Sequence, residues 1–103
     1  MYKIVFLNQG KVYELFSEQV ASSNLYGFVE VSKLVFETDD SVVIDPTEEK
    51  LRDEFSGTET LFLPMQSVIR IEKVKKRGAC VIRDRESGEK VTPLHLDSPR
   101  RKR

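Results

Sequence analysis

Residues 2–7 set Tyr2, Ile4 and Phe6 against Lys3, Val5 and Leu7. This two-residue period places successive side chains on opposite faces of a strand, with both faces at least partly covered. Asn8-Gln9-Gly10 interrupts it, and Lys11–Phe16 resumes the alternation, which predicts a β-hairpin closing at Gly10. The polar stretch Ser17–Asn24 fits a loop, a continued bent strand or a short helical turn. Tyr26–Phe36 is rich in β-branched and aromatic residues and reads as one long strand, or as two interrupted near Ser32-Lys33. Gly27 inside it predicts a bulge or a close backbone approach. Thr38–Ser41 reads as a turn and Val42–Ile44 as a short buried strand.

DPTEEKLRDEFSG carries the helix signals of the chain. Asp45 suits the N-cap, Pro46 the first helical position, and Glu48 and Glu49 the positive end of the helix dipole. Leu51 and Phe55 share a face, and Gly57 is placed to end the helix in a left-handed conformation. A helix over 46–55 follows. Thr60–Leu63 and Gln66–Val74 read as strands separated by Pro64, which cannot donate to a ladder. In the second, Ile69 and Ile71 face one way, while Val68, Arg70, Glu72 and Val74 line a partly wet face. Ala79–Ile82 fits one more short strand. From Asp84 onward charge is dense and apolar residues sparse, which predicts disorder.

The fold expected is α+β and mostly β: a small, strongly bent antiparallel sheet or open barrel of five to six strands, with one short helix over 46–55. Residues 1–83 form the single folded domain, and 84–103 a basic, disordered tail. A length of 103 residues suits one hydrophobic core. Cys80 is the single cysteine, so no internal disulfide forms and a cytoplasmic setting is favoured. The apolar patch Ile4–Leu7 is too short for a signal peptide or a membrane span, and no membrane partner is expected.

The net charge of zero hides an asymmetry. Residues 1–72 carry 6 basic and 13 acidic side chains, and residues 73–103 carry 11 basic and 4 acidic. Lys73, Lys75, Lys76, Arg77, Arg83, Arg85, Arg100, Arg101, Lys102 and Arg103 give the second segment the electrostatic footprint of a polyanion binder. The competing explanation is a solvated, solubilising extension.

Catalytic chemistry finds few parts. His95 is the only histidine and has no cysteine or second histidine at ligand spacing. Cys80 sits among Ala79, Val81 and Ile82, as a small apolar strand residue would, although neighbouring cations are what activates a nucleophilic thiol. Asp39, Asp40, Asp45, Glu48 and Glu49 lack the spacing of a calcium loop, and the five glycines are scattered singly. No catalytic residue, metal ligand or cofactor is therefore assigned. The expected function is a non-enzymatic binding module that contacts RNA or another polyanion, or an acidic protein, through the basic C-terminal region. The alternative is a protein–protein adaptor that uses a sheet edge and exposed aromatics such as Tyr13, Tyr26 or Phe62. Oligomeric state is left open.

YKIVFLNQGKVYELF (2–16), YGFVEV (26–31), VVIDPTEEKLRDEF (42–55) and LPMQSVIRIEKV (63–74) resemble a bacterial family known as domain of unknown function 1820. The resemblance covers residues 2–78 and leaves the basic tail outside. It implies a cytoplasmic bacterial setting and brings no established chemistry. Gln66 stands where the resemblance leads one to expect a histidine in many relatives.

Overall fold

The structure, a computed structural model, describes residues 1–36 and 46–90. The N-terminal alternation becomes β1 (Tyr2–Asn8) and β2 (Lys11–Ser22), paired antiparallel from Tyr2 opposite Ser17 to Asn8 opposite Lys11. Between them Gln9 (φ 54°) and Gly10 (φ 77°) both take positive φ. A two-residue turn needs this to match the right-handed twist of its strands. The stretch after Ser17 is the bent-strand alternative, because β2 runs on to Ser22. The next strand, β3 (Phe28–Val35), pairs with its second half. Tyr26 and Gly27 lie outside β3. They occupy a turn closed by the Phe28 N–H donating to the Leu25 carbonyl at 3.1 Å, with Gly27 at φ 80° in the position that demands it. The interruption expected near Ser32-Lys33 is a single residue, Lys33 at φ 56°, within an otherwise continuous strand.

The helix α1 (Pro46–Glu54) falls where its signals place it. Asp45, the Thr38–Ser41 turn and the Val42–Ile44 strand lie outside the described residues. The expected left-handed Gly57 is absent: Gly57 is not among the positive-φ glycines. The helix instead ends on Phe55 donating to the Leu51 carbonyl and on Ser56, whose Oγ donates to the Asp53 carbonyl at 3.1 Å. Then come β4 (Thr60–Pro64), a 3₁₀ turn (Met65–Ser67), β5 (Val68–Lys73) and β6 (Val81–Asp84). The order is β4-β3-β2-β1-β5, with β6 on β2. All pairings are antiparallel, and among the described residues the sheet is open and does not close into a barrel.

Chain connectivity forces this sheet to fold over. β4 ends at Pro64 opposite Phe28, beyond the end of β1, whereas β5 starts at Val68 opposite Phe6, near the hairpin turn. In a straight sheet those points lie roughly 30 Å apart along the strands, at about 3.4 Å per residue. The chain from Pro64 to Val68 spans about 14 Å even when fully extended, and a 3₁₀ turn is shorter still. β2 therefore bends, and its burial shows where: Leu15, Phe16 and Ser17 are buried consecutively, which a straight two-faced strand does not allow. Before the bend β2 pairs β1 and β6, and after it pairs β3 on the edge β6 has left.

The core lies between the two halves. Ile4, Phe6, Tyr13, Leu15 and Ile82 come from one, Val31 and Leu63 from the other, and Leu51 from the helix. Phe6 and Tyr13, directly opposed, have ring centroids 5.4 Å apart. Phe16 packs over Gly78 so closely that a Cβ there would meet its ring at 3.3 Å.

The alternation read along Gln66–Val74 does not survive intact. The β1–β5 register shifts between Val5 and Phe6, so Phe6 faces Val68 while Ile4 faces Ile71. Val68 and Ile71, three apart, thus share the face of buried Ile4 and Phe6. Ile69 is the extra residue of a bulge and stands exposed.

The described chain continues past Asp84. Its Oδ1 accepts from the Glu86 and Ser87 amides at 2.9 and 3.0 Å, the Gly88 N–H donates to its carbonyl, and Arg83 bridges to Lys90. The amides of Ser87 and Glu86 hold the Asp84 carboxyl below its ordinary range. A lowered folded value means that this turn is fully supported above the ordinary aspartate pKa and loses support as pH falls through the lowered one. In an acid titration by NMR, the Glu86 and Ser87 amide resonances move together, with a midpoint below that of an ordinary aspartate. Leu15→Ala, at the bend, lowers stability by about 2–5 kcal/mol in urea unfolding; a loss well under 1 kcal/mol would contradict a tightly packed bend.

Candidate functional site

Glu48 lies on the same face of α1 as Leu51 and Phe55, one turn before Leu51. That face is buried, and Glu48 is only 1% exposed. Its Oε1 accepts from Arg77 Nη1 at 2.6 Å and its Oε2 from the Cys80 backbone N–H at 2.8 Å. A carboxylate removed from water needs such partners. Arg77 also donates to the Gly78 carbonyl at 2.9 Å. The group joins the helix to the segment that leads into β6. It is a structural clamp, with its carboxylate oxygens turned to protein donors.

Cys80 sits inside this clamp, fully buried, its Sγ 3.7 Å from the Val35 carbonyl. Burial first, and the nearby Glu48 charge second, push its thiol up to about 12. A thiol so held stays protonated at neutral pH and is a poor nucleophile. Among the described residues no three His, Cys, Asp or Glu side chains are grouped to hold a metal ion. His95, Asp39, Asp40 and Asp45 lie outside those residues.

The basic set is divided by the fold. Arg77 is the counter-ion of Glu48. Arg83 Nε donates to Glu14 Oε2 at 2.6 Å, and Lys3 approaches the other oxygen of Glu14 at 3.5 Å. Lys73, Lys75 and Lys76 are exposed where β5 ends, beside Tyr2. Arg85 is exposed in the turn after β6, whose Asp84 faces Lys11 at the opposite end of β1. Arg100, Arg101, Lys102 and Arg103 lie outside the described residues.

A different surface gathers. Tyr26 is fully exposed, Met65 and Ile69 are each 59% exposed and Ile71 39%. Tyr26, Met65 and Ile71 border a groove of about 470 Å³ whose wall includes Val20, Phe28 and Val29. The Met65 N–H donates to the Gly27 carbonyl at 2.8 Å, so the turn bearing Tyr26 and the 3₁₀ turn form one rim. Phe62, 40% exposed, lines a second groove of about 280 Å³ with Phe55 and Leu61. Tyr13, expected among the exposed aromatics, is buried against Phe6. Burial pushes its hydroxyl above the ordinary range, Glu54 adds to this, and the Asn8 side chain opposes it. Gln66 is exposed on the 3₁₀ turn. The groove was missed because Met65, Val20 and Tyr26 are scattered in sequence. The clamp had a signal: an acid on an apolar helix face implies a buried partner.

Glu48→Gln and Arg77→Ala each destabilise the protein by on the order of 3 kcal/mol, because each removes one partner of an ion pair that is largely withdrawn from water. Arg83→Ala, at a more exposed pair, costs under about 1 kcal/mol. Chemical denaturation of the three variants measures the difference. No helix among the described residues is long and apolar enough to cross a membrane. No curated protein and no solved structure matches the chain. A family model does match, over residues 1–96, passing the Gly78 limit of the resemblance, taking in β6 and leaving out the Arg100–Arg103 run. The chain belongs to the family described as domain of unknown function DUF1820.

Proposed function

We propose that the protein is a non-enzymatic protein–protein adaptor that receives an extended, largely apolar segment of a partner in the groove between the Tyr26 turn, the 3₁₀ turn and β5. The observation that carries this reading is the convergence of exposed Tyr26, Met65 and Ile71 on one groove. Exposed apolar patches of this kind mark interaction surfaces, and tyrosine and methionine are among the residues enriched there. The groove floor is strand and its rim is held by the Met65–Gly27 hydrogen bond, so the surface is preformed and binding carries a smaller ordering penalty. A partner segment that lays alternate side chains into Val20 and Ile71 suits such a groove.

A second reading draws on the adjacent exposed Lys73, Lys75 and Lys76: contact with RNA or another polyanion, aided by the terminal Arg100–Arg103 run. Phosphate neutralisation by such side chains gives steep salt dependence. Truncation to test it has to spare the body, because Cys80, Val81 and Ile82 are core residues. Removing residues 97–103 leaves the whole family-matched region in place.

The experiment is a photo-crosslinking amino acid at position 26, with one at exposed position 86 as control, followed by mass spectrometry of adducts from the native cell. The adaptor reading expects a discrete protein partner at position 26 that persists in high salt, lost in Met65→Asp. Nucleic-acid adducts that vanish in high salt and depend on residues 97–103 would instead establish the polyanion reading.

A further inference from the structure

β5 pairs with β1 along one edge only, and among the described residues no strand covers the other. Natural sheets usually protect such an edge, often with charges that repel an incoming strand. The outer edge of β5 does carry charges, Arg70 and Glu72, 3.3 Å apart and side by side on one face, with their side chains 69% and 37% exposed. Their signs alternate at a spacing of two. Exposed Ile71 lies between them on the other face.

We propose that the outer edge of β5 pairs antiparallel with the same edge of a second copy of this chain, about a two-fold axis at Ile71. In this register Ile71 meets Ile71 of the second copy, Arg70 meets Glu72, and Glu72 meets Arg70. Every charge on that face lies opposite its opposite. Neighbouring registers fail: an axis at Arg70 opposes two arginines, an axis at Glu72 opposes two glutamates, and an axis between two residues would pair side chains that point to opposite faces. Directly opposed like charges destabilise a strand pair and opposite charges stabilise it. The charges that would deter a foreign strand thus select this one, and two-fold symmetry supplies each contact twice. Ile71, which also borders the groove, joins the two grooves across the axis. The pairing is independent of what occupies them.

A single strand edge buries less than a standard interface, so the dimer is weak, and its equilibrium is read over roughly 1 µM to 1 mM protein. Sedimentation equilibrium of the full chain is expected to show reversible dimerisation in that range. Arg70→Glu and Glu72→Arg each oppose like charges and weaken association about tenfold or more. An equal mixture of the two single variants restores it, because each then presents two charges of one sign to two of the other. The double variant R70E/E72R restores it as well. Circular dichroism establishes that each variant is folded, and recovery on mixing excludes misfolding as the cause of the loss. A wild-type monomer throughout the range overturns the proposal, as does a dimer whose affinity the single swaps leave unchanged.

Discussion

The short connection from Pro64 to Val68 governs this fold. It joins strands at opposite ends of the sheet order, and that junction is reached only if β2 turns through the sheet. From the turn follow the consecutive burial of Leu15, Phe16 and Ser17, the meeting of Ile4 and Phe6 with Val31 and Leu63, and the use of one edge of β2 by two strands. The same 3₁₀ turn that closes the core presents Met65 to solvent beside Tyr26. The constraint that builds the interior thus also builds the surface proposed to bind.

The Glu48 clamp plays a second, local part. A nine-residue helix buries little apolar area by itself and isolated helices of that length are marginal. Leu51 supplies the apolar anchor, and the charge-assisted bonds from Arg77 and Cys80 fix the helix against the segment before β6. Such buried charge contributes less to net stability than to geometry, since the desolvation of Glu48 offsets much of its attraction to Arg77.

How far the chain could be read in advance follows from the distance over which each feature is determined. The first hairpin and the helix were legible because their causes are local: Gly10 beside Gln9 in a turn that demands positive φ, and Pro46 followed by Leu51 and Phe55 at helical spacing. The parity of β5 was not, since a bulge at Ile69 is set by pairing with β1 and breaks the period that the reading assumes. The fates of Arg77 and Arg83 were hidden for a similar reason. Both look like members of one basic run, yet their carboxylates come from Glu48 and Glu14, on elements far away in the chain. The family match reaches residue 96 and so takes in β6, beyond the residues that carry the resemblance.

The position of Cys80 has a practical consequence. A lone thiol with no exposed surface, held protonated by its surroundings, is silent to alkylating reagents while the clamp is shut. It reacts only when its surroundings open, whether by local loosening around the clamp or by unfolding of the whole sheet. The rate of its modification under native conditions is therefore an intrinsic clock for that opening, and a rate above that of global unfolding marks local loosening of the clamp.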